Sequence, residues 1–337
     1  MRFAARLFVV VFALILLFPA PADAVQPHGL SWIVEDGSSG AVLGEHDADI
    51  PRPPASLAKM ITALVVVEHM HLDDFVTISS RAAHAEADRL AWPLGMTFTV
   101  DQVLHGMLLE SSNGAAIALA ERISGSQPAF AVLMNEKARQ IGAANSHFVT
   151  PNGLDAPGQG STARDLALIA RTLLRDETLA RIVHTASYDV PWLGGPATFH
   201  NSNRFLASYP GSIGVKPGFT QKAGNCLAAA ATRGDRTLVA VVLNSTTVTE
   251  DATQLINEAF AKLNLTQAPV GETGVSPSPV ASQIDEEPAP TTGYAMTTQA
   301  SGEPVKIADS RRPSIGGTFI VLTVCGIVFR RRRMLRT

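Results

Sequence analysis

Apolar residues form strand-like runs near both ends of the central part of the chain. Leu30–Glu35 and Ala41–Glu45 flank a turn that contains glycine, and Asn225–Thr232 and Thr237–Leu243 flank Arg233-Gly234-Asp235. Two apolar runs on either side of such a turn are typical of a β-hairpin. We therefore predict one hairpin near the start of the folded region and a second near its end.

Between the two hairpins, from about Val76 to Ser187, the periodicity is mainly helical. One helix is predicted from near Ser56 to near His69. We expect it to be buried, because its apolar residues cover all sides. The other predicted helices are Val100–Glu110, Gly114–Ile123, Pro128–Ile141, Ala163–Arg175 and, after the second hairpin, Glu250–Leu263. Strands at both ends with helices between them predict an α+β fold: an antiparallel sheet from both chain ends, an inserted helical block, and a cleft between them.

The first 24 residues have the pattern of a secretory signal peptide. Two arginines precede the unbroken apolar run Leu7–Phe18, and Ala22-Asp23-Ala24 fits a small-residue cleavage site. A membrane anchor is the alternative reading of this run. We favour a cleaved signal because the run is short and a cleavage site follows it.

A second apolar run, Ile315–Phe329, lies near the carboxyl end and is followed by Arg330–Arg333. As a helix it spans roughly 22 Å, against the roughly 30 Å of a bilayer core. Flanking residues and snorkelling arginines help to close that difference, so we predict a transmembrane helix over residues 313–329. The arginines place the tail, residues 330–337, in the cytoplasm. A helix lying on the membrane surface is the alternative, although the run lacks the polar stripe of such helices.

Residues 266–312 are rich in Pro, Ser, Thr and Gly and show no apolar periodicity, so they predict a flexible stalk. The folded domain then covers residues 25–265, which is long enough to bury a large core. The two cysteines, Cys226 and Cys325, fall in different segments and are not expected to pair. The formal net charge is −3 and the folded part has no basic stripe, so nucleic acid is not an expected partner. These features predict a single-pass protein of the cell membrane with its folded domain outside the cytoplasm.

Three short strings carry the candidate chemistry: Ser56-Leu57-Ala58-Lys59, Ser111-Ser112-Asn113 and Lys216-Pro217-Gly218. A serine and a lysine three residues apart share one helix face, as a serine nucleophile activated by an amine requires. Burial of the helix lowers the proton affinity of Lys59 and favours a general base. The second string lies at a break between helices, and the third enters a strand where Gly218 permits close approach.

Each string also has an ordinary structural reading. Ser56 can cap a helix whose Lys59 reaches solvent. The second string can be a plain Asn-Gly turn, and the third a surface Pro-Gly turn. The order and context of all three together favour the catalytic reading.

The three strings and their surroundings resemble the serine D-alanyl-D-alanine carboxypeptidases of the low-molecular-mass penicillin-binding group. The resemblance covers about residues 29–265. It extends to Pro54–Met60, to Leu108–Glu121, to the segment from His147 to Leu166 and to Gly214–Thr220. It implies the β-lactamase and DD-peptidase type of α+β fold, peptidoglycan stem peptides as substrates, β-lactams as inhibitors, and no metal ion or cofactor.

The resemblance also implies a role for each matching position. Ser56 attacks the D-Ala-D-Ala peptide bond and Lys59 accepts its proton. Ser111 and Asn113 complete the proton network and hold the peptide. Lys216 binds the terminal carboxylate of the peptide.

The third motif implies the remaining substrate contacts. The backbone N–H groups of Ser56 and Phe219 form the oxyanion hole, and Gly218 lets the substrate approach. The family usually has a threonine at the position of Pro217, so the hydroxyl contact with the carboxylate is lost unless Thr220 supplies it. Many relatives also carry an arginine just before the last helix, where this chain has Thr246–Asp251 without one.

Three alternative functions compete with this interpretation of the sequence. A β-lactamase shares the three motifs, but the class A enzymes need a Glu-x-x-Leu-Asn string that is absent between Ser111 and Lys216. A non-catalytic wall-binding protein of the same fold is consistent with Pro217. A zinc peptidase would draw on His69, His71 and His84, which lack the His-Glu-x-x-His arrangement.

Overall fold

The computed structural model describes residues 27–192 and 195–265 of the chain. The proposed signal peptide (1–24), stalk (266–312), transmembrane helix (313–329) and tail (330–337) lie outside the described residues. Among the helices of the described part, none has both the length and the hydrophobicity needed to cross a bilayer.

The described residues form nine strands and nine α-helices. The strands are β1 (Ser31–Asp36), β2 (Val42–His46), β3 (Phe75–Thr77), β4 (Thr97–Thr99), β5 (Ser187–Trp192), β6 (Gly195–His200), β7 (Ser212–Thr220), β8 (Gly224–Arg233) and β9 (Arg236–Ser245). The helices are α1 (Ala58–His69), α2 (Ser80–Ala83), α3 (Val100–Leu108), α4 (Asn113–Ser124), α5 (Gln127–Ile141), α6 (Ala163–Arg175), α7 (Glu177–His184), α8 (Arg204–Ser208) and α9 (Val248–Lys262).

The main sheet has five antiparallel strands in the order β2-β1-β9-β8-β7. Strands from the two ends of the described chain are therefore neighbours in one sheet, and the helical block is inserted between them. Both predicted hairpins are present as β1-β2 and β8-β9. The α+β architecture expected from the sequence is confirmed.

The sheet has a hydrophobic core on each of its two faces. Successive residues of a strand point to opposite faces and so contribute to different cores. Ile33 belongs to the core between the sheet and the helical block, and its neighbour Val34 belongs to the core under α9. The centre of the larger core is α1, whose residues from Ala58 to Val66 are all buried. A helix that is apolar all round needs such a central place.

Several elements differ from the sequence prediction. The segment predicted as mainly helical also contains one small sheet, β3-β4, whose three-residue strands are too short to show a period-two pattern. A second small sheet, β5-β6, begins where that segment ends and was not predicted. Helix α1 begins at Ala58 rather than near Ser56, because a 3-10 turn over Ala55–Leu57 precedes it. The predicted helix that starts at Ala163 is confirmed, and Thr162 caps it by accepting a hydrogen bond from the Asp165 N–H.

Candidate active site

The turn before α1 presents Ser56 at the wall of a cavity. Ala55 adopts a left-handed backbone conformation, with φ of 48°, which is uncommon for a residue with a side chain. Gly153, with φ of 84°, lies directly against this turn, and a Cβ at Gly153 would overlap the Ala55 carbonyl oxygen. The position of Ser56 therefore depends on a glycine from a distant segment.

Lys59 lies one turn further along and is fully buried. Its Nζ is 2.9 Å from the Ser56 hydroxyl, 2.8 Å from the Asn113 side-chain oxygen and 2.7 Å from the Asn152 carbonyl. Burial lowers the pKa of Lys59 to about 7, while the charge of Asp88 acts in the opposite direction. In the neutral amine, the two carbonyl oxygens take the two hydrogens, which leaves the nitrogen lone pair for the Ser56 hydroxyl.

The Ser111-Ser112-Asn113 string forms the turn between α3 and α4. Ser111 has a left-handed φ of 62° and lines the same cavity as Ser56. Asn113 is the first residue of α4, and its side-chain amide is bonded at both ends: the oxygen accepts from Lys59, and the nitrogen donates to the Glu86 carbonyl at 2.8 Å. Asn113 thus ties Lys59 to a loop that the sequence did not associate with the site.

Lys216 lies in the middle of β7, not at its start. It is fully buried, and its Nζ donates to the Pro217 carbonyl at 3.0 Å. Burial lowers the pKa of Lys216 well below its ordinary value, with the charges of Lys59 and Arg89 adding to the effect. Strand β7 is an edge strand of the main sheet, which is where a proline such as Pro217 is tolerated.

The edge of β7 packs directly on the turn that carries Ser56. A Cβ added to Gly218 would lie 2.9 Å from the Ser56 amide nitrogen. The lack of a side chain at Gly218 thus lets the backbone of Ser56 pack closely against the strand. Phe219, the next residue, is 56% exposed and lines the cavity.

Thr220 has a different environment from the one expected. Its hydroxyl donates to the Asp155 carboxylate at 3.1 Å and accepts from the Ala223 N–H at 3.0 Å. Among the described residues that line the cavity, Thr220 does not appear. Its hydroxyl therefore bonds other protein groups at the end of β7, and it does not replace the hydroxyl missing at Pro217.

The cavity has a volume of about 840 Å³ and brings together most of the predicted site. Ser56, Ser111, Asn113, Gly218 and Phe219 line it. Lys59 and Lys216 lie behind this lining, because both side chains are fully buried.

Two arginines of the cavity wall were not found from the sequence. Arg89 belongs to the loop after α2, and Arg204 begins the short helix α8. Both side chains are exposed, and neither forms an ion pair within residues 27–192 and 195–265. Nothing in the local sequence distinguishes them from ordinary surface arginines.

The histidines considered for a metal site lie apart from the cavity. The His69 ring bonds the Val65 carbonyl within α1, and the His84 ring, directly after α2, bonds the Ser80 carbonyl. Within the part of the chain that the structure describes, no three His, Cys, Asp or Glu side chains are grouped closely enough to hold a metal ion.

The model of one protein family, described as D-alanyl-D-alanine carboxypeptidase, matches residues 20–247 of the chain. This chain belongs to that family. The match spans all three motifs, from the turn that carries Ser56 to the edge strand that carries Lys216.

Individual members of the carboxypeptidase family support this assignment. The carboxypeptidase DacB2 of Mycobacterium tuberculosis is 37% identical over 234 residues, which are 66% of this chain and 80% of DacB2. DacC of Escherichia coli is 37% identical over 237 residues, which are 67% of this chain and 58% of DacC. The chain thus spans most of the first relative and little more than half of the second.

Solved structures agree with the fold described above. A crystal structure of D-alanyl-D-alanine carboxypeptidase from Mycobacterium tuberculosis has a TM-score of 0.68 and 34% identity, and covers 72% of this chain and 96% of its own. The DD-transpeptidase of a Streptomyces strain has a TM-score of 0.67 and 31% identity, and covers 71% of this chain and 100% of its own.

Proposed function

We propose that this protein is a serine-type D-Ala-D-Ala carboxypeptidase that removes the terminal D-alanine from peptidoglycan stem peptides and is acylated by β-lactams. The observation that carries this proposal is the placement of a buried amine 2.9 Å from the Ser56 hydroxyl at the wall of the cavity. Family membership supplies the substrate class.

The reaction has two steps. The Ser56 oxygen attacks the carbonyl carbon of the penultimate D-alanine as Lys59 accepts the hydroxyl proton. The peptide C–N bond then breaks, and the proton returns to the amine of the departing D-alanine, with Ser111 as the relay. In the second step, water loses a proton to Lys59 and attacks the acyl carbon. The ester C–O bond to Ser56 then breaks, Lys59 returns the proton to the Ser56 oxygen, and the shortened peptide leaves.

The negative oxygen of each tetrahedral intermediate needs N–H donors. The close packing of Gly218 against the Ser56 amide supports an oxyanion hole made of the N–H groups of Ser56 and Phe219. The absence of an N–H at Pro217 does not remove either donor.

The terminal carboxylate of the substrate requires a cation within the cavity. Lys216 is fully buried and bonded to its own backbone, and Pro217 has no hydroxyl. Arg204 lines the cavity, and its helix α8 contacts β7. Its guanidinium forms no ion pair with the described part of the chain, and it matches a carboxylate in geometry and charge. We therefore assign the carboxylate contact chiefly to Arg204, with Arg89 as the second cation.

We also propose that the protein is anchored in the cell membrane by residues 313–329, with the carboxypeptidase domain on the outer side. The apolar run and the arginines that follow it support this arrangement. Protease treatment of intact cells tests it, because the domain is expected to be degraded while the membrane remains closed. Protection of the domain would contradict the proposed orientation.

The enzymatic proposal is tested with the full-length protein and a fluorescent penicillin. Labelling is expected for the wild type and not for Ser56→Ala, and D-alanine is expected to be released from a pentapeptide. Equal labelling of both proteins would disprove the catalytic role of Ser56. Labelling without release of D-alanine would favour a wall-binding protein, and rapid hydrolysis of the penicillin would favour a β-lactamase.

A further inference from the structure

Asp88 lies in the loop after α2 and contacts the second motif directly. Its Oδ2 accepts a hydrogen bond from the Ser112 hydroxyl at 2.9 Å and another from the Gly114 N–H. Its Oδ1 accepts from the Leu90 N–H at 3.1 Å within the loop. One carboxylate therefore holds both the loop and the first residues of α4.

The Ser112 hydroxyl, which is fully buried, is saturated by this arrangement. It donates to Asp88, and it accepts from the Trp92 indole N–H at 2.7 Å and from the Ala115 N–H at 3.0 Å. A hydroxyl has one hydrogen and two acceptor positions, so none is left for substrate. Ser112 thus differs from its neighbour Ser111, which lines the cavity.

The Asp88 carboxylate is tightly packed against the first turn of α4. A Cβ at Gly114 would collide with the Ala82 carbonyl oxygen and with Asp88 Oδ2. The carboxylate also lies at the N-terminal end of α4, where the helix dipole favours a negative charge.

The same loop is tied to Lys59 through Asn113. The Asn113 nitrogen donates to the Glu86 carbonyl at 2.8 Å and to that of Ala87 at 3.3 Å, and the Asn113 oxygen accepts from Lys59. The charge of Asp88 acts on the pKa of Lys59. The charges of Arg89 and Lys59 act on the pKa of Lys216. The negative charge of Asp88 favours the protonated form of Lys59.

We propose that Asp88 is a positioning residue for the carboxypeptidase reaction: its carboxylate fixes the Ser111–Asn113 turn against Lys59 and stabilises the ammonium that forms when Lys59 takes the Ser56 proton. This proposal rests on the proposed function. Asp88 does not contact the reacting atoms: it bonds Ser112, and the next residue, Asn113, bonds Lys59.

The test compares Asp88→Asn with Ser112→Ala by the pH dependence of penicillin acylation in the full-length protein. Asp88→Asn removes the charge but keeps a side-chain oxygen. The acid limb of its profile is expected to move to lower pH by roughly half a pH unit, with a plateau that is several-fold lower. Ser112→Ala keeps the charge, so it is expected to lower the plateau and to leave the midpoint in place.

Asp235→Asn, in the β8-β9 turn, is the matched control for loss of one carboxylate. Thermal melting establishes that each variant is folded. A profile for Asp88→Asn that coincides with the wild type, or a Ser112→Ala profile shifted by as much as that of Asp88→Asn, would overturn the proposal.

Titration of the Lys59 side chain by NMR gives a second readout that does not require activity. A lower midpoint in Asp88→Asn than in the wild type is expected, and equal midpoints would overturn the proposal. If the wild type is not acylated at Ser56, the proposed function fails, and the NMR titration still decides the electrostatic role of Asp88.

Discussion

The Lys59 amine nitrogen and the Ser56 hydroxyl oxygen are 2.9 Å apart, at the junction between a 3-10 turn and the central buried helix. Two carbonyl oxygens, from Asn113 and Asn152, hold the amine from the other side. The hydroxyl faces the cavity while the amine is excluded from water. The proposed nucleophile and its proposed base are thereby held at hydrogen-bond distance.

The rate of acylation by penicillin is expected to depend on the protonation of Lys59. Its pKa is lowered to about 7 by burial, and only the neutral amine can accept the Ser56 proton. The rate should therefore fall on the acid side, about tenfold for each pH unit below the midpoint, and reach a plateau above it. Stopped-flow labelling between pH 5 and 9 measures this, and a flat profile would contradict Lys59 as the base.

Arg204→Gln is expected to weaken the binding of peptides that end in a free carboxylate. A charge-assisted hydrogen bond contributes about 1.5–3 kcal/mol, so KM should rise by about tenfold to a hundredfold while kcat changes little. Arg139→Gln, on an exposed face of α5, is the matched control.

The KM of each arginine variant is also measured for a second substrate, a depsipeptide or thioester that lacks the terminal carboxylate. Arg204→Gln should leave its KM unchanged. An equal effect on both substrates would show that Arg204 serves the shape of the cavity and not carboxylate binding.

Pro217→Thr is expected to improve recognition of the carboxylate. Pro217 lines the cavity on the edge strand β7, so a hydroxyl at this position would lie at the wall where the ligand binds. One added hydrogen bond to a charged group should raise the second-order acylation rate by roughly tenfold.

Pro217→Val is the control, because valine has the shape and the backbone N–H of threonine but lacks the hydroxyl. A gain in Pro217→Thr that valine reproduces would assign the effect to the backbone. A gain confined to threonine would assign it to the hydroxyl.

Gly153→Ala is expected to destabilise the protein and to disturb Ser56. The substitution adds left-handed strain and a clash with the Ala55 carbonyl, which together should cost about 2–4 kcal/mol of unfolding free energy. Gly125 has a similar φ of 75° with open space around it, so Gly125→Ala should cost only about 1 kcal/mol. Denaturant unfolding measures both, and equal losses would show that the contact with Ala55 carries no energy.

Much of the fold could be predicted from the chain because its signals are local. The two β-hairpins follow from apolar runs around short turns, and α1 follows from residues that are apolar on every side. The spacing of Ser56 and Lys59 also determined their contact, since residues three apart share a helix face. The strands β3 and β4, with three residues each, are too short for any such pattern.

The candidate site was identified in part by its motifs, and the tertiary structure decided the rest. Nothing near Asp88 or Arg204 in the sequence marks them as parts of the site, because their partners are distant in the chain. Asn152 lies in a segment that resembles the family, but its contact with Lys59 appears only in the structure. Thr220 shows the reverse case: the motif suggested a substrate contact, and the fold places its hydroxyl on Asp155.

The sequence by itself predicted the Ser56–Lys59 pair and a sheet that takes strands from both ends of the folded region, because these depend on periodicity and spacing along the backbone. The tertiary structure alone decided which groups contact Lys59 from other segments: the carbonyl oxygens of Asn113 and Asn152 and the charge of Asp88. These contacts depend on which distant segments meet, and that information is not present in any single stretch of the chain.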